Sequence, residues 1–479
     1  MKRLADGYES ELDEVFARAL HHEGLAVPGL VAMCRRGSSV YGPKAFGFAD
    51  LAARRPMRAD AMMRMYSMTK VLTSTIALML HDRGLLRLDD PVGDYIPSYD
   101  RDWLVVRRAD KGDTGYRGEI EIGNLALGTT TTVAYAAEPA RETMRIRHLM
   151  SETSGIGYEF WDDLDTITGG GFATGGSFRI ANALRSRIND RVYKSSSILG
   201  QDLDLEGFCE VIAEAGVLAT HPGQLSYGLG ATVLGRVIEI VVEREGRGRR
   251  KLSEIFSEML FDPLGMTDAT FFLADNDPRA RRIPTLYGID TSDPDRPHAV
   301  PAEQAVPATD PPYSNGTDHA SGPRKQESGD TGTLMPVADY GRFLDFLASD
   351  GVTATGERLL SPTAHALLTG HWVAGLDLDT GLARAMGLAG HLNRTLPLSF
   401  QFGWAITRSG EGVVDAAPDD HPGRCHWGGY ARTTMSYYRG EESWIVLAPQ
   451  IICHHPAATA AVANALTVPA VTRFMQLWR

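Results

Sequence analysis

The sequence predicts an α+β fold: an antiparallel sheet flanked by helices, built from both chain ends, with a mainly helical domain inserted between them. Three observations predict it. Two strand-like runs, 27–34 and 40–48, open the chain around the turn Gly37-Ser38-Ser39. Three more, at 401–407, 433–438 and 443–447, close it ahead of a terminal helix over 457–478. Between the two sets lie apolar segments of helical spacing, separated by long polar loops, with no internal repeat and no heptads. This places a sheet domain at 1–90 and 330–479, and the insertion with its long loops at 91–329.

The elements follow in order. Leu12, Val15, Phe16 and Leu20 recur at helical spacing and predict an amphipathic helix over 9–22. The pattern from Ser67 to Arg83 is apolar on nearly every side, so that helix belongs in the interior, and Gly84 stops it. Charges, glycines and a threonine run dominate 100–140, and glycines dominate 169–177. Both stretches read as insertions or loops. Helices are expected over 205–218, 231–243 and 336–349, with a second loop region at 275–329 that is rich in Pro, Asp, Ser and Gly.

Composition narrows the function. A chain of 479 residues with 43% hydrophobic and 23% charged residues can bury a large core without staples. Its net charge of −12 excludes a general basic footprint for nucleic acid. No apolar run approaches the length of a membrane span, so no membrane association is expected. Cys34, Cys209, Cys425 and Cys453 are scattered and read as four separate thiols. With no apolar signal region near residue 1, they point to a cytoplasmic, reducing setting. His21-His22 and His454-His455 lack acidic or cysteine partners at ligand spacing, so neither a metal nor another cofactor is expected.

The sharpest local signal is Ser67-Met68-Thr69-Lys70. On a helix, positions three apart share a face, so the hydroxyl and the amine lie side by side. The first helical turn adds free N–H groups and the positive end of the dipole. A desolvated lysine can serve as a base, and such a pair needs no histidine to activate the serine. The chain has seven lysines, and of these Lys70 alone follows a serine by three.

The surrounding text resembles the serine β-lactamase and penicillin-binding superfamily, and within it the class C-like branch of family VIII carboxylesterases and transesterases. The resemblance rests on several segments in order: Ser67 to Lys70, then Gly84-Leu85-Leu86-Arg87-Leu88-Asp89-Asp90-Pro91-Val92, then Ile146 through Gly155. Pro222-Gly223 with Tyr227, Pro263-Leu264-Gly265-Met266-Thr267, and Gly332-Thr333-Leu334-Met335 continue it. It implies a serine β-lactamase-like fold and a tyrosine that shares protons with the serine and lysine. Two tyrosines compete. Tyr313-Ser314-Asn315 matches the literal pattern but sits in a Pro/Gly/Asp-rich loop. Tyr227 lacks the asparagine but follows Pro-Gly and precedes an apolar helix, and this context favours it.

The family's third motif, lysine–threonine–glycine on a strand, is impossible here because no lysine follows Lys325. The matching segment is His426-Trp427-Gly428-Gly429, similar to variants of the esterase branch. Its glycines let a strand approach substrate closely. The Gly429 N–H, or one residue on that of Tyr430, would join the Ser67 N–H in an oxyanion hole. Trp427 is expected as a substrate-facing wall, and His426 as an anion contact when protonated. Arg424 or Arg432 could replace the missing cation. His426 and Arg432 would share a face if the strand ran on without a bulge.

The expectation is a serine hydrolase that forms an acyl-enzyme on Ser67, with Lys70 and Tyr227 as acid and base and a neutral ester as small-molecule substrate. The alternatives are acyl transfer, an amidase or β-lactamase activity on the same fold, and a catalytically idle, penicillin-binding-like receptor.

Overall fold

The computed structural model describes residues 2–21, 27–124, 129–158, 177–188, 203–274, 276–290, 298–304, 321–322, 327–370, 377–378, 398–407, 421, 423–452 and 462–478. The 169–176 glycines, Tyr313 to Asn315, His22, His454, His455, Cys453 and residues 457–461 lie outside the described residues.

Nine antiparallel strands form the main sheet among the described residues. Gly29–Arg36 is where the chain ends meet. On one side it pairs with Ser39–Asp50, which pairs in turn with the edge strand Arg55–Pro56, and on the other with Ser443–Pro449 in a register that sets Ala32 opposite Leu447. The sheet then runs through Thr434–Tyr438, Arg424–Gly428, Trp404–Thr407, Leu398–Gln401 and Asp377–Leu378.

Strand alternation sorts the two faces. Leu30, Ala32, Ile445 and Leu447 pack on α1 (Tyr8–Ala19) and on the C-terminal helix Val468–Gln476, through Leu12, Phe16 and Phe474. Val31, Val446, Met435 and Trp427 turn the other way, into the larger core. That core holds α2 (Thr69–Asp82), whose residues from Thr69 to Leu80 are all buried. The buried hydroxyls on α2 are satisfied nearby: Thr75 donates to Val71 O (2.7 Å) and Thr73 to Gly329 O (2.5 Å). Gly230–Val242 and Val337–Ala348 complete the helical side.

The insertion corrects one expectation. The described part of 100–140 is mostly strand and not loop. Leu104–Arg108, Tyr116–Asn124 and Thr129–Pro139 form a second sheet, joined by Val217–Leu218. Ile120, Ile122 and Val133 are buried while Glu119 and Glu121 are exposed, so one face is dry and the other solvated. The polar outer residues obscured this alternation in the sequence. The 275–329 region likewise holds strands: Tyr287–Asp290 pairs with His298–Pro301 and, in parallel, with Ile451–Ile452. The 205–218 helix ends at Ala215, with Gly216 in left-handed conformation as its cap, and residues 217–218 belong to the second sheet. Among the described residues no helix is long and apolar enough to cross a membrane, and no cluster of three His, Cys, Asp or Glu could hold a metal.

Candidate active site

Ser67 lies in a short 3-10 turn, Tyr66–Met68, that runs straight into α2. The turn is held from outside. Met65 N–H donates to Thr333 O (3.0 Å), the Tyr340 hydroxyl donates to Met68 O (3.0 Å), and the Thr69 and Thr333 hydroxyls are 2.7 Å apart. Tyr66 has φ 47, a left-handed conformation that costs a bulky residue of order 1–3 kcal/mol. The packing of both flanks keeps that strain in place and presents Ser67 beside the open end of the helix.

Lys70 is one turn further on and wholly buried. Its Nζ lies 3.5 Å from Ser67 Oγ, 3.2 Å from Tyr158 Oη and 3.7 Å from Asp330 Oδ2. It also sits over the rings of Tyr227 and Tyr158, at 4.7 and 5.3 Å from their centroids. Gly403, at φ 91, explains how the sheet reaches this point. A Cβ there would come 2.5 Å from the backbone of Lys70 and Val71, so only glycine lets the 401–404 turn rest on α2.

Tyr227 arrives on a loop that is zipped to residues 152–158. Ser226 N–H donates to Glu152 O (2.7 Å), Gly228 N–H to Glu152 Oε2 (2.6 Å), Leu229 N–H to Ile156 O (3.0 Å) and Tyr158 N–H to Tyr227 O (3.1 Å). One zipper therefore sets both tyrosines, with ring centroids 5.6 Å apart, around one ammonium. The Tyr227 hydroxyl is hydrogen-bonded to Ser67, to Lys70 and to the indole Nε1–H of Trp427, the last at 3.1 Å. Ser67, Lys70 and Tyr227 are thus brought together.

The third wall is Arg424–Gly428 and the turn after it. Cys425 and Trp427 point into the α2 side of the sheet, and Trp427 is 1% exposed, packed on Phe400 and Tyr227. It is therefore not the open wall the sequence suggested. It is a buried support that donates to the Tyr227 oxygen. Alternation sends Arg424 and His426 to the opposite face, where Arg424 Nε and Nη2 donate to Ser436 Oγ at 3.1 and 2.9 Å. The parity argument for Arg432 also fails. The strand ends at Gly428, and Arg432, at φ 61, closes a turn by donating its N–H to Gly429 O.

Gly429 serves proximity. Its N–H donates to Thr433 O at 2.8 Å, which corrects its expected part in the oxyanion hole. A Cβ there would meet Thr433 Oγ1 at 2.2 Å and Met65 O at 2.3 Å, so its lack of a side chain brings the turn against the Ser67 segment. Gly428 is the last residue of the strand and pairs with Thr434.

The charges are arranged around Lys70. Burial alone would drive its pKa down, but Tyr227, Asp330 and Glu152 outweigh that and leave it above the ordinary lysine value. Burial pushes the Tyr227 hydroxyl up, although Lys70, Ser67 and Trp427 each pull it down. Burial also carries the Glu152 carboxyl up to about 8, against the pull of Lys70 and the Gly228 N–H. Burial, with Arg424, holds His426 well below the usual histidine value, so it is neutral at pH 7 and offers no charge to an anion.

Tyr158, Glu152 and Asp330 were not singled out in the sequence. Glu152 lies within the 146–155 segment without any mark of its own, and an acid in Ser328-Gly329-Asp330-Thr331-Gly332 reads as an ordinary turn residue. Only its zero exposure beside Lys70 marks it.

The chain is similar in sequence and fold to known proteins. A family model described as beta-lactamase matches residues 17–467. Esterase EstB of Burkholderia gladioli is 29% identical over 267 residues, 56% of this chain and 52% of its own, so the match spans about half of that esterase. Two solved structures share the fold across nearly their whole length. EstCE1, described as a hydrolase with promiscuous acyltransferase activity, has a TM-score of 0.60 at 20% identity, covering 96% of this chain and 98% of its own. Simvastatin synthase LovD of Aspergillus terreus has a TM-score of 0.64 at 20% identity, covering 98% of both chains.

Proposed function

The chain belongs to the beta-lactamase family, and on that premise we propose that it is a carboxylesterase-like serine hydrolase working through an acyl-enzyme on Ser67. The observation that carries this reading is the hydrogen-bonded group of Ser67, Lys70 and Tyr227, in which the Tyr227 oxygen is surrounded by donors. An oxygen so placed is prepared to carry negative charge. In the form of the Lys70–Tyr227 pair that has lost one proton to solvent, the remaining proton sits on Lys70 as the ammonium, and the Tyr227 phenolate takes the Ser67 proton as Oγ attacks the ester carbonyl. The tetrahedral oxyanion falls to the Ser67 N–H at the start of α2. Since the Gly429 N–H is used by Thr433, we assign the second donor to Tyr430, whose ring meets Tyr66. On collapse, Tyr227 returns the proton to the departing alkoxide. Water then repeats the sequence and releases the acid. An alcohol in place of water would complete acyl transfer by the same steps. A receptor without catalysis would have no use for three groups in hydrogen-bond reach.

The substrate class follows from the third wall. A neutral indole, not a lysine, holds Tyr227, and His426 is neutral and on the far face. A carboxylate-bearing β-lactam would enter a dry cleft into which this strand points no cation, since Arg424 is turned to the opposite face, at a cost of several kcal/mol. Neutral esters avoid that cost. The test is a panel of chromogenic esters of varied acyl length beside the cephalosporin nitrocefin, each with and without added alcohol. Short neutral esters should be turned over with far higher kcat/KM than nitrocefin. Equal or better nitrocefin hydrolysis would overturn the esterase reading.

A further inference from the structure

The search for unused chemistry in the buried interior ends on Asp330. Its carboxylate is fully buried, yet the reaction above does not call on it. Oδ2 accepts the Tyr158 hydroxyl and lies 3.7 Å from Lys70 Nζ, while Oδ1 accepts the hydroxyls of Ser328 and, at 3.2 Å, Thr331. We propose that Asp330 is the positioning residue that keeps Lys70 charged in the resting enzyme, directly as its counter-ion and indirectly by orienting the Tyr158 hydroxyl. The proposal rests on Lys70 and Tyr227 serving Ser67.

The argument is one of hydrogen-bond direction. Tyr158 has one proton, and Asp330, an acceptor when ionised, takes it. Tyr158 Oη can therefore only accept from Lys70, at 3.2 Å. Ser67 and Tyr227 are the other hydrogen-bond acceptors at Nζ, so with Tyr158 three acceptors match the three donors of an ammonium, and the Asp330 carboxylate stands beside them at 3.7 Å. A neutral amine has two N–H groups and a lone pair, and it would leave one of these contacts without a proton. The groups that face Lys70 are Ser67 in the turn ahead of its helix, Glu152, Tyr158 and Tyr227 on the zipped loops, and Asp330 on the 327–333 segment. Of the two carboxyls, Asp330 makes the ion pair with Nζ, while Glu152 is bound to the Gly228 N–H. Removing the Asp330 charge therefore frees the Lys70 proton and lets the amine compete with Tyr227 as base.

The seven lysines make this measurable, because 13Cε-lysine NMR gives few resonances and Lys70→Arg assigns one of them. In the wild type the Lys70 signal should stay that of an ammonium at neutral pH. In Asp330→Asn, which keeps an acceptor for Tyr158, its midpoint should fall by about 1–3 pH units. The acid limb of kcat/KM against pH should move to lower pH with it, a shift that mere loosening of the fold would not produce. If Asp330→Asn does not fold, Tyr158→Phe should lower the midpoint in the same direction. A wild-type Lys70 that is neutral at pH 7, or titrations identical in wild type and variant, would overturn the proposal. The NMR arm needs no substrate, so it fails or stands independently of esterase turnover.

Discussion

The indole N–H of Trp427 donates to the hydroxyl of Tyr227 at 3.1 Å, across 200 positions of sequence. A strand of the C-terminal half thereby steadies the base that a loop of the insertion supplies. A hydrogen bond to a charged acceptor contributes about 1.5–3 kcal/mol. Trp427→Phe should therefore lower kcat/KM by about 10–100-fold, and Tyr227→Phe by about two to four powers of ten. The two effects should not add, because Trp427 acts through the hydroxyl that Tyr227→Phe removes. Steady-state kinetics of the single and double variants check this. Additive losses would separate Trp427 from Tyr227.

Glu152 gives a prediction in pH and stability. In the unfolded chain it ionises near 4.5, whereas in the fold it keeps its proton up to about 8, chiefly through burial. Between those values the folded state binds more protons, so stability falls as pH rises through the window. Glu152→Gln keeps an acceptor for the Gly228 N–H and removes the titration. Its Tm should thus decline less than that of the wild type from pH 5 to pH 8. Glu239, also raised, to about 7, is common to both proteins and cancels in the difference. Parallel Tm curves would contradict the assignment.

Gly429 is placed by proximity, so Gly429→Ala should act on chemistry more than on folding. The added methyl group meets Met65 O and Thr433 Oγ1 and must lift the turn away from the nucleophile. A displacement of about 1 Å can cost on the order of a hundredfold in rate. Kinetics together with a thermal melt separate the two effects. Near-normal kcat/KM would show that the turn does not need this approach.

Much of the fold was legible in sequence because its signals were local. Val31 and Ala32 belong to an apolar run between turn residues, and α2 announced its burial by being apolar all round. The second sheet was not legible, since Glu119, Glu121 and the threonines of 130–132 are exposed and mask Ile120, Ile122 and Val133. At the site, Ser67, Lys70 and Tyr227 carried spacing or flanking text. Asp330 and Tyr158 carried neither, because a buried ion pair between residues 260 apart in the chain is a tertiary fact. His426 and Arg432 were misplaced for a related reason. Alternation predicts which residues share a face, but not which face the nucleophile occupies or where a turn ends the strand.

The central claim, that Ser67 is the nucleophile, is tested most directly by covalent labelling. A phosphonate ester probe followed by intact-mass and peptide analysis should add a single label to the wild type, on Ser67. Ser67→Ala should take up none and should lose ester turnover. A label on another residue, or a labelled and active Ser67→Ala protein, would contradict the account.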